Sequence, residues 1–179
     1  AIAEDYIRSQ GAIPSFKGYG GFPASICTSV NDEIVHGIPS ERVLKQGDII
    51  SIDMGSYIGG FHGDAARTYA VGEITPEAQK LIDVTKQCFF EGIQYAKKGC
   101  YLNEIGTAIQ KYAEQNGFSV VREYVGHGIG RKLHEDPSVA NYKELSKGVA
   151  LKEGMTLAIE PMINMGSYKL KVLKDGWTA

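Results

Sequence analysis

Two runs of strand-forming residues, Asp48–Tyr57 and Phe61–Val71, flank the dipeptide Gly59-Gly60 and constrain the fold more than any other part of the chain. A Gly-Gly pair accepts the positive φ angles of a tight hairpin turn, so the two runs predict a β-hairpin. The turn also sets the register. With its centre at Gly59-Gly60, Asp53 falls opposite Ala66, and Asp64 becomes its diagonal neighbour on the same face, roughly 7 to 8 Å away. Strand alternation puts Ser51 and Asp53 on one face and Ile50, Ile52 and Met54 on the other. Two carboxylates at that distance repel, and burial raises the pKa of at least one unless a cation compensates them. A divalent metal resolves the conflict. The competing reading is a pair of solvated acids at a loop end.

The rest of the chain reads as alternating segments. The opening residues look like the last turns of an amphipathic helix, and Gly18, Gly20, Gly21 and Pro23 mark an irregular stretch before the strand 24–30. Thr75-Pro76-Glu77 places a hydroxyl cap before a proline, and Leu81, Ile82, Thr85, Phe89, Ile93 and Ala96 follow at helical spacing towards Gly99. A second helix runs from about Leu102, through Ile105, Ala108, Ile109, Tyr112 and Ala113, to a stop at Gly117. Beyond it come a strand at 118–121, a Gly- and His-rich segment at 126–137, a loop to Gly154, and strands at 156–164 and 168–173. Hairpin, two helices and further strands make an α+β class, with helices on one face of an antiparallel sheet. No repeat or composition shift divides the 179 residues, so one domain is expected.

Three more residues join the two aspartates. His127 lies in Gly126-His127-Gly128-Ile129-Gly130, where glycines admit close backbone approach, and His134 follows before Glu135-Asp136-Pro137. Glu160 interrupts the apolar strand Thr156–Ile159 just before Pro161, where a charge without a partner is costly. Each has a structural alternative: a satisfied histidine in two cases, and for Glu160 an ion pair to Arg67. Together, two aspartates, a histidine and a glutamate form a hard, oxygen-rich donor set suited to manganese, iron, cobalt or zinc. Two such ions can sustain a hydroxide at neutral pH and polarise a carbonyl, which points to hydrolysis.

Composition excludes other classes. Nineteen basic and 21 acidic residues give a formal charge of −2, and the cations are scattered, so nucleic acid is not an expected partner. No apolar run approaches the roughly 18 to 20 residues that span a bilayer, and acids stand at the start where a signal peptide is apolar. Cys27, Cys88 and Cys100 form no CxxC pair, which suits a reducing cytoplasm.

Six ordered motifs carry a resemblance over about Gly18 to Trp177: Asn31 to Pro39 (NDEIVHGIP), Ile52-Asp53-Met54-Gly55, Gly63 to Thr68 (GDAART), Gly126 to Gly130 (GHGIG), His134-Glu135-Asp136-Pro137, and Ile159-Glu160-Pro161. The chain resembles the type I methionine aminopeptidases. The resemblance implies a pita-bread fold, a pseudo-symmetric α+β architecture with two divalent ions (cobalt, manganese, iron or zinc) in the middle of a curved antiparallel sheet. It implies that Asp53 holds one ion, Asp64 bridges both, and His127 and Glu160 bind the other. Glu160 would also accept the proton of the attacking water, His134 would donate to the scissile carbonyl, and His36 would contact the peptide near the leaving nitrogen. A methionine pocket would form from Tyr19, Phe22 and Cys27, closed by Leu133 and Trp177.

The implied reaction removes the initiator methionine from nascent polypeptides, near the ribosome, when the second residue is small, and the enzyme would act as a monomer in the cytoplasm. Phe16 and Leu133 depart from the family's usual pattern and alter the pocket. The family also carries one or two helices before the point matching Ala1, and a second bridging glutamate after the segment matching Ala179. Residues 1–179 are therefore expected to be a truncated catalytic domain with weakened metal binding. Two alternatives stand beside this reading: an Xaa-Pro peptidase of the same fold, and a pita-bread binding module without catalysis.

Overall fold

The computed structural model describes residues 2–179, which form two compact units. The first takes the chain up to Pro76 together with Ile129–Leu133 and Lys171–Ala179, and the second takes Glu77–Gly128 and His134–Leu170.

In the first unit the hairpin forms as its turn dictates. Strands β3 (Ile49–Ile58) and β4 (Phe61–Ala70) pair antiparallel, with Asp53 opposite Ala66 and Gly55 opposite Asp64. Gly59 and Gly60 take φ angles of 61° and 89°. The other edge of β3 carries two shorter strands end to end: β2 (Ile26–Val30) along Ile50–Met54, and β1 (Ile13–Pro14) along Ser56–Tyr57. Helix α1 (Ile2–Ser9) is tied down through Glu4, whose carboxylate accepts from Lys17, Ser25 and Arg8. Those hydrogen bonds, led by Lys17, hold the Glu4 carboxyl down to about 2. The unit's apolar centre is Phe16, Phe22, Cys27, Ile129 and Leu133. Gly55 leaves room for it: a Cβ there would lie 2.6 Å from the Phe16 ring.

In the second unit α2 (Pro76–Ile93) and α3 (Leu102–Gln115) provide most of the core. Val84 and Cys88 from α2 pack with Leu102, Ile105, Ile109 and Ala113 from α3, and with Val120, Val139, Leu151 and Ile163. Ile105 and Ile109 are wholly buried, and each contributes about 1.5 to 3 kcal/mol by leaving water. After α3 the Gly117 N–H bonds to Glu114 and the Phe118 N–H to Ala113, the paired reverse bonds that satisfy a helix's last carbonyls. Two antiparallel ladders follow: β5 (Ser119–Val120) with β9 (Ile163–Asn164), and β6 (Gly126–Gly128) between β7 (Glu135–Val139) and β8 (Leu157–Ala158). The class is α+β, as expected.

The structure corrects four boundaries. Helix α2 stops at Ile93 instead of running to Gly99, because the next N–H groups bond three residues back or fewer and tighten the chain out of the helix. The expected strand at 156–164 is two short ones on different ladders, parted around Pro161, which has no N–H to donate. Tyr168–Leu173 is not a strand; the Leu173 N–H turns back to Thr178. Strand β7, taken for loop, pairs in spite of Pro137. Among the described residues no helix is long and apolar enough to cross a membrane.

Candidate functional site

The first unit holds the aspartate pair and the apolar pocket on one face of its sheet. Cys27 stands opposite Asp53, so both point to the same side, together with Ser51, Gly55 and Asp64. The Ser51 and Thr68 hydroxyls meet at 2.7 Å on that face. Burial, then the charges of Asp53 and Asp64, pushes the Cys27 thiol up to about 12, so it is a neutral, soft wall and not a nucleophile. Burial likewise pushes the Cys88 thiol up to about 12. Alkylation of the native protein at pH 8 is expected to mark the partly exposed Cys100 first, with Cys27 and Cys88 reacting only on unfolding. Mass mapping of the labelled peptides checks this, and rapid native labelling of Cys27 would contradict it.

Of the residues expected to hold the methionine side chain, Phe22, Cys27 and Leu133 lie in one buried cluster and Trp177 packs against it. The Phe22 and Trp177 rings meet edge to face at 5.1 Å. Tyr19 sits on the short 3-10 turn Tyr19–Gly21, 47% exposed and outside that cluster. Phe16, flagged as a departure in sequence, is itself a buried member. Trp177 is oriented by a turn that sequence reading overlooked. Asp175 accepts from the N–H groups of Trp177 and Thr178 and from the Thr178 hydroxyl, and these bonds, the hydroxyl foremost, hold its carboxyl below the usual range.

His36 occupies a strained loop. Its φ is 60°, a left-handed conformation uncommon for a residue with a side chain and typical of sites that aim one. The neighbouring Gly37 is locked onto β2: Thr28 donates to its carbonyl at 2.8 Å, and its own N–H reaches the Ser29 hydroxyl at 3.1 Å. A Cβ on Gly37 would fall 2.1 Å from the Thr28 carbonyl oxygen, so only glycine allows this contact. The preceding residues are fastened by Ala179, which accepts from Ile34 and donates to Val35.

The second unit brings together His127, His134 and Glu160. His127 is central in β6 and buried, and its Nδ1 lies 2.7 Å from the Gly128 carbonyl. A carbonyl only accepts, so Nδ1 carries a proton in this contact, which in the neutral ring leaves Nε2 as the lone-pair nitrogen. That nitrogen faces Glu160 Oε1 at 3.1 Å, and Oε1 is buried without a hydrogen-bond partner. The pair is within ion-pair distance, yet no hydrogen bond satisfies the buried Glu160 oxygen, and with a neutral imidazole two acceptors would confront each other. Such an arrangement calls for a cation. Two donors about 2.0 to 2.2 Å from a common ion sit roughly 3 Å apart when they subtend near a right angle, so the observed spacing fits a shared metal. His134 is exposed, its ring 4.2 Å from that of His127 and tilted by 53°. Among the described residues, no three His, Cys, Asp or Glu side chains form a ready-made ion site; the donors are organised as pairs.

Sequence reading also missed Asn141, which is wholly buried and donates to the Glu160 carbonyl at 2.7 Å, and His62, whose Nδ1 lies 2.9 Å from the Ser15 hydroxyl. The model of metallopeptidase family M24 matches residues 1–178. This chain belongs to that family. As an M24 metallopeptidase it is 57% identical over 178 residues to a methionine aminopeptidase of Clostridium acetobutylicum, covering 99% of this chain and 71% of that protein. It is 59% identical over 177 residues to methionine aminopeptidase 1 of Bacillus subtilis, with the same coverage. The crystal structure of methionine aminopeptidase from Rickettsia prowazekii superposes with a TM-score of 0.96 at 47% identity, over 99% of this chain and 72% of that one. An Xaa-Pro dipeptidase from Bacillus anthracis is more distant, at 0.73 and 29%, covering 88% of this chain and 42% of its own. Membership makes the protein a metal-dependent peptidase of pita-bread architecture, and both closer likenesses and coverage favour the methionine-specific branch over the proline-directed one.

Proposed function

We propose that this protein is a methionine aminopeptidase that removes the N-terminal methionine of polypeptides whose second residue is small. The observation that carries the metal reading is the buried, unbonded Glu160 Oε1 facing His127 Nε2 at 3.1 Å. Asp53, Asp64, His127 and Glu160 would hold two divalent ions drawn from manganese, iron, cobalt and zinc. When bound, these supply positive charge that makes water nucleophilic at neutral pH and polarises a peptide carbonyl. Glu160 accepts the proton released by the attacking water. His134 donates to the carbonyl oxygen as it gains charge, and His36 contacts the peptide near the leaving nitrogen. Phe22, Cys27, Leu133 and Trp177 take the methionine side chain: a thioether sits well among aromatic edges and a neutral thiol. Residues 1–179 make up part of a single catalytic domain in this reading.

The test compares two substrates with manganese present and with it chelated. Methionine release from Met-Ala-Ser, dependent on metal and well ahead of any cleavage of an Ala-Pro peptide, is expected. A preference for Ala-Pro would replace this reading with a proline-directed peptidase, and metal-bound protein that cleaves neither would replace it with a binding module.

A further inference from the structure

We propose that Asn141 is the positioning residue for the Glu160 carboxylate, an inference that rests on reading Glu160 as a metal ligand. Strand β8 ends at Ala158 and β9 begins at Ile163, so residue 160 lies between two ladders. Its carbonyl has no strand partner, and the following Pro161 supplies no N–H. The bond comes instead from the side-chain amide of Asn141, at 2.7 Å. Asn141 is 0% exposed, and its own Oδ1 is buried without a hydrogen-bond partner. A buried amide with one end unsatisfied adds little as packing, so its one bond, to the Glu160 carbonyl, is what it contributes here.

That contribution is legible in the backbone on either side of Glu160. On its amide side the chain runs past Gly126, where a Cβ would be in van der Waals contact with the Glu160 nitrogen at 3.4 Å. Two residues on, the Met162 carbonyl accepts from Val121 at 3.0 Å. The backbone of Glu160 thus runs beside Gly126 on its nitrogen side and is held at its carbonyl oxygen by Asn141. A fixed peptide fixes the direction of Cβ, and with it the approach of Oε1 to His127 Nε2. Asn141 touches neither substrate nor ion; it acts through Glu160, as hydrogen-bonded outer residues act on ligands elsewhere.

Asn141→Leu keeps the approximate shape and deletes the donor, while Asn141→Ala deletes donor and volume together. Manganese affinity by calorimetry and the thermal midpoint of the metal-free protein are measured for both, with Glu160→Gln alongside. Both Asn141 variants are expected to bind manganese about 10- to 100-fold more weakly, by a similar factor, although Ala lowers the midpoint more than Leu. Parent-like affinity in either folded variant would overturn the inference. So would an affinity loss in Ala alone, because volume and not the donor would then be the cause. Parent-like binding by Glu160→Gln would instead overturn the ligand assignment, and this inference with it.

Discussion

A Gly126→Ala variant is expected to lose both stability and metal binding from the addition of one methyl group. The new Cβ would sit 2.2 Å from the Ala158 carbonyl oxygen and 3.2 Å from its carbon. These are backbone atoms in a paired strand, so no side chain can rotate away, and β6 and β8 must separate. Overpacking of this kind costs about 1 to 3 kcal/mol where relief is possible, and the rigid ladder places this site at the upper end. For a chain of this size that lowers the midpoint by about 5 to 10 °C. Separation also widens the 3.1 Å approach of His127 to Glu160, since His127 pairs with Ala158 on the same ladder. Thermal melting and manganese calorimetry read the two effects, and parent-like values in both would show that β6 and β8 do not depend on this contact.

Asp64→Asn is expected to move stability and metal binding in opposite directions. Asn nearly preserves shape while removing one of two negative charges on the same face of the hairpin. In metal-free protein that relieves repulsion with Asp53, worth roughly 0.5 to 2 kcal/mol at this separation, so the midpoint holds or rises. With manganese the same change removes a charged donor, and affinity falls by at least about 100-fold, with methionine release falling accordingly. A metal-free midpoint that drops sharply would mean that Asp64 serves the fold through its charge, and unchanged manganese affinity would remove it from the ligand set.

How far these features could be read in sequence depended on whether a local signal fixed the geometry. The register of Asp53 against Ala66 was legible because Gly59-Gly60 admits one turn centre, and all other pairings follow from it. Helices α2 and α3 were legible from apolar spacing, but the end of α2 was not: Ala96 continues the period while the hydrogen bonding has already tightened. Strand β7 was hidden by Glu135, Asp136 and Pro137, residues that argue against a strand except beside a partner such as β6. Glu160 announced itself as a charge in an apolar run. Asn141 could not, because its bond goes to a backbone carbonyl 19 residues away, and main-chain acceptors leave no trace in side-chain patterns. Phe22, Cys27, Leu133 and Trp177, far apart in sequence, pack together in one apolar cluster, and Tyr19 lies outside it.

The segments that build each unit also set a timetable for synthesis. The centre of the first unit around Phe16, Phe22 and Cys27 is completed by Ile129 and Leu133, and Ala179 fastens the loop before His36. Residues 77–128 emerge in between, an interval on the order of 3 to 10 s at ~5 to 20 residues per second. Throughout that interval the strand bearing Asp53 exists without its apolar cover. The hairpin can zip early, since its contacts are local, but the pocket beside it closes late. A nascent chain of this protein therefore has a window in which exposed aromatic side chains invite chaperones, and the apolar cluster closes only after Leu133 and Trp177 have left the ribosome.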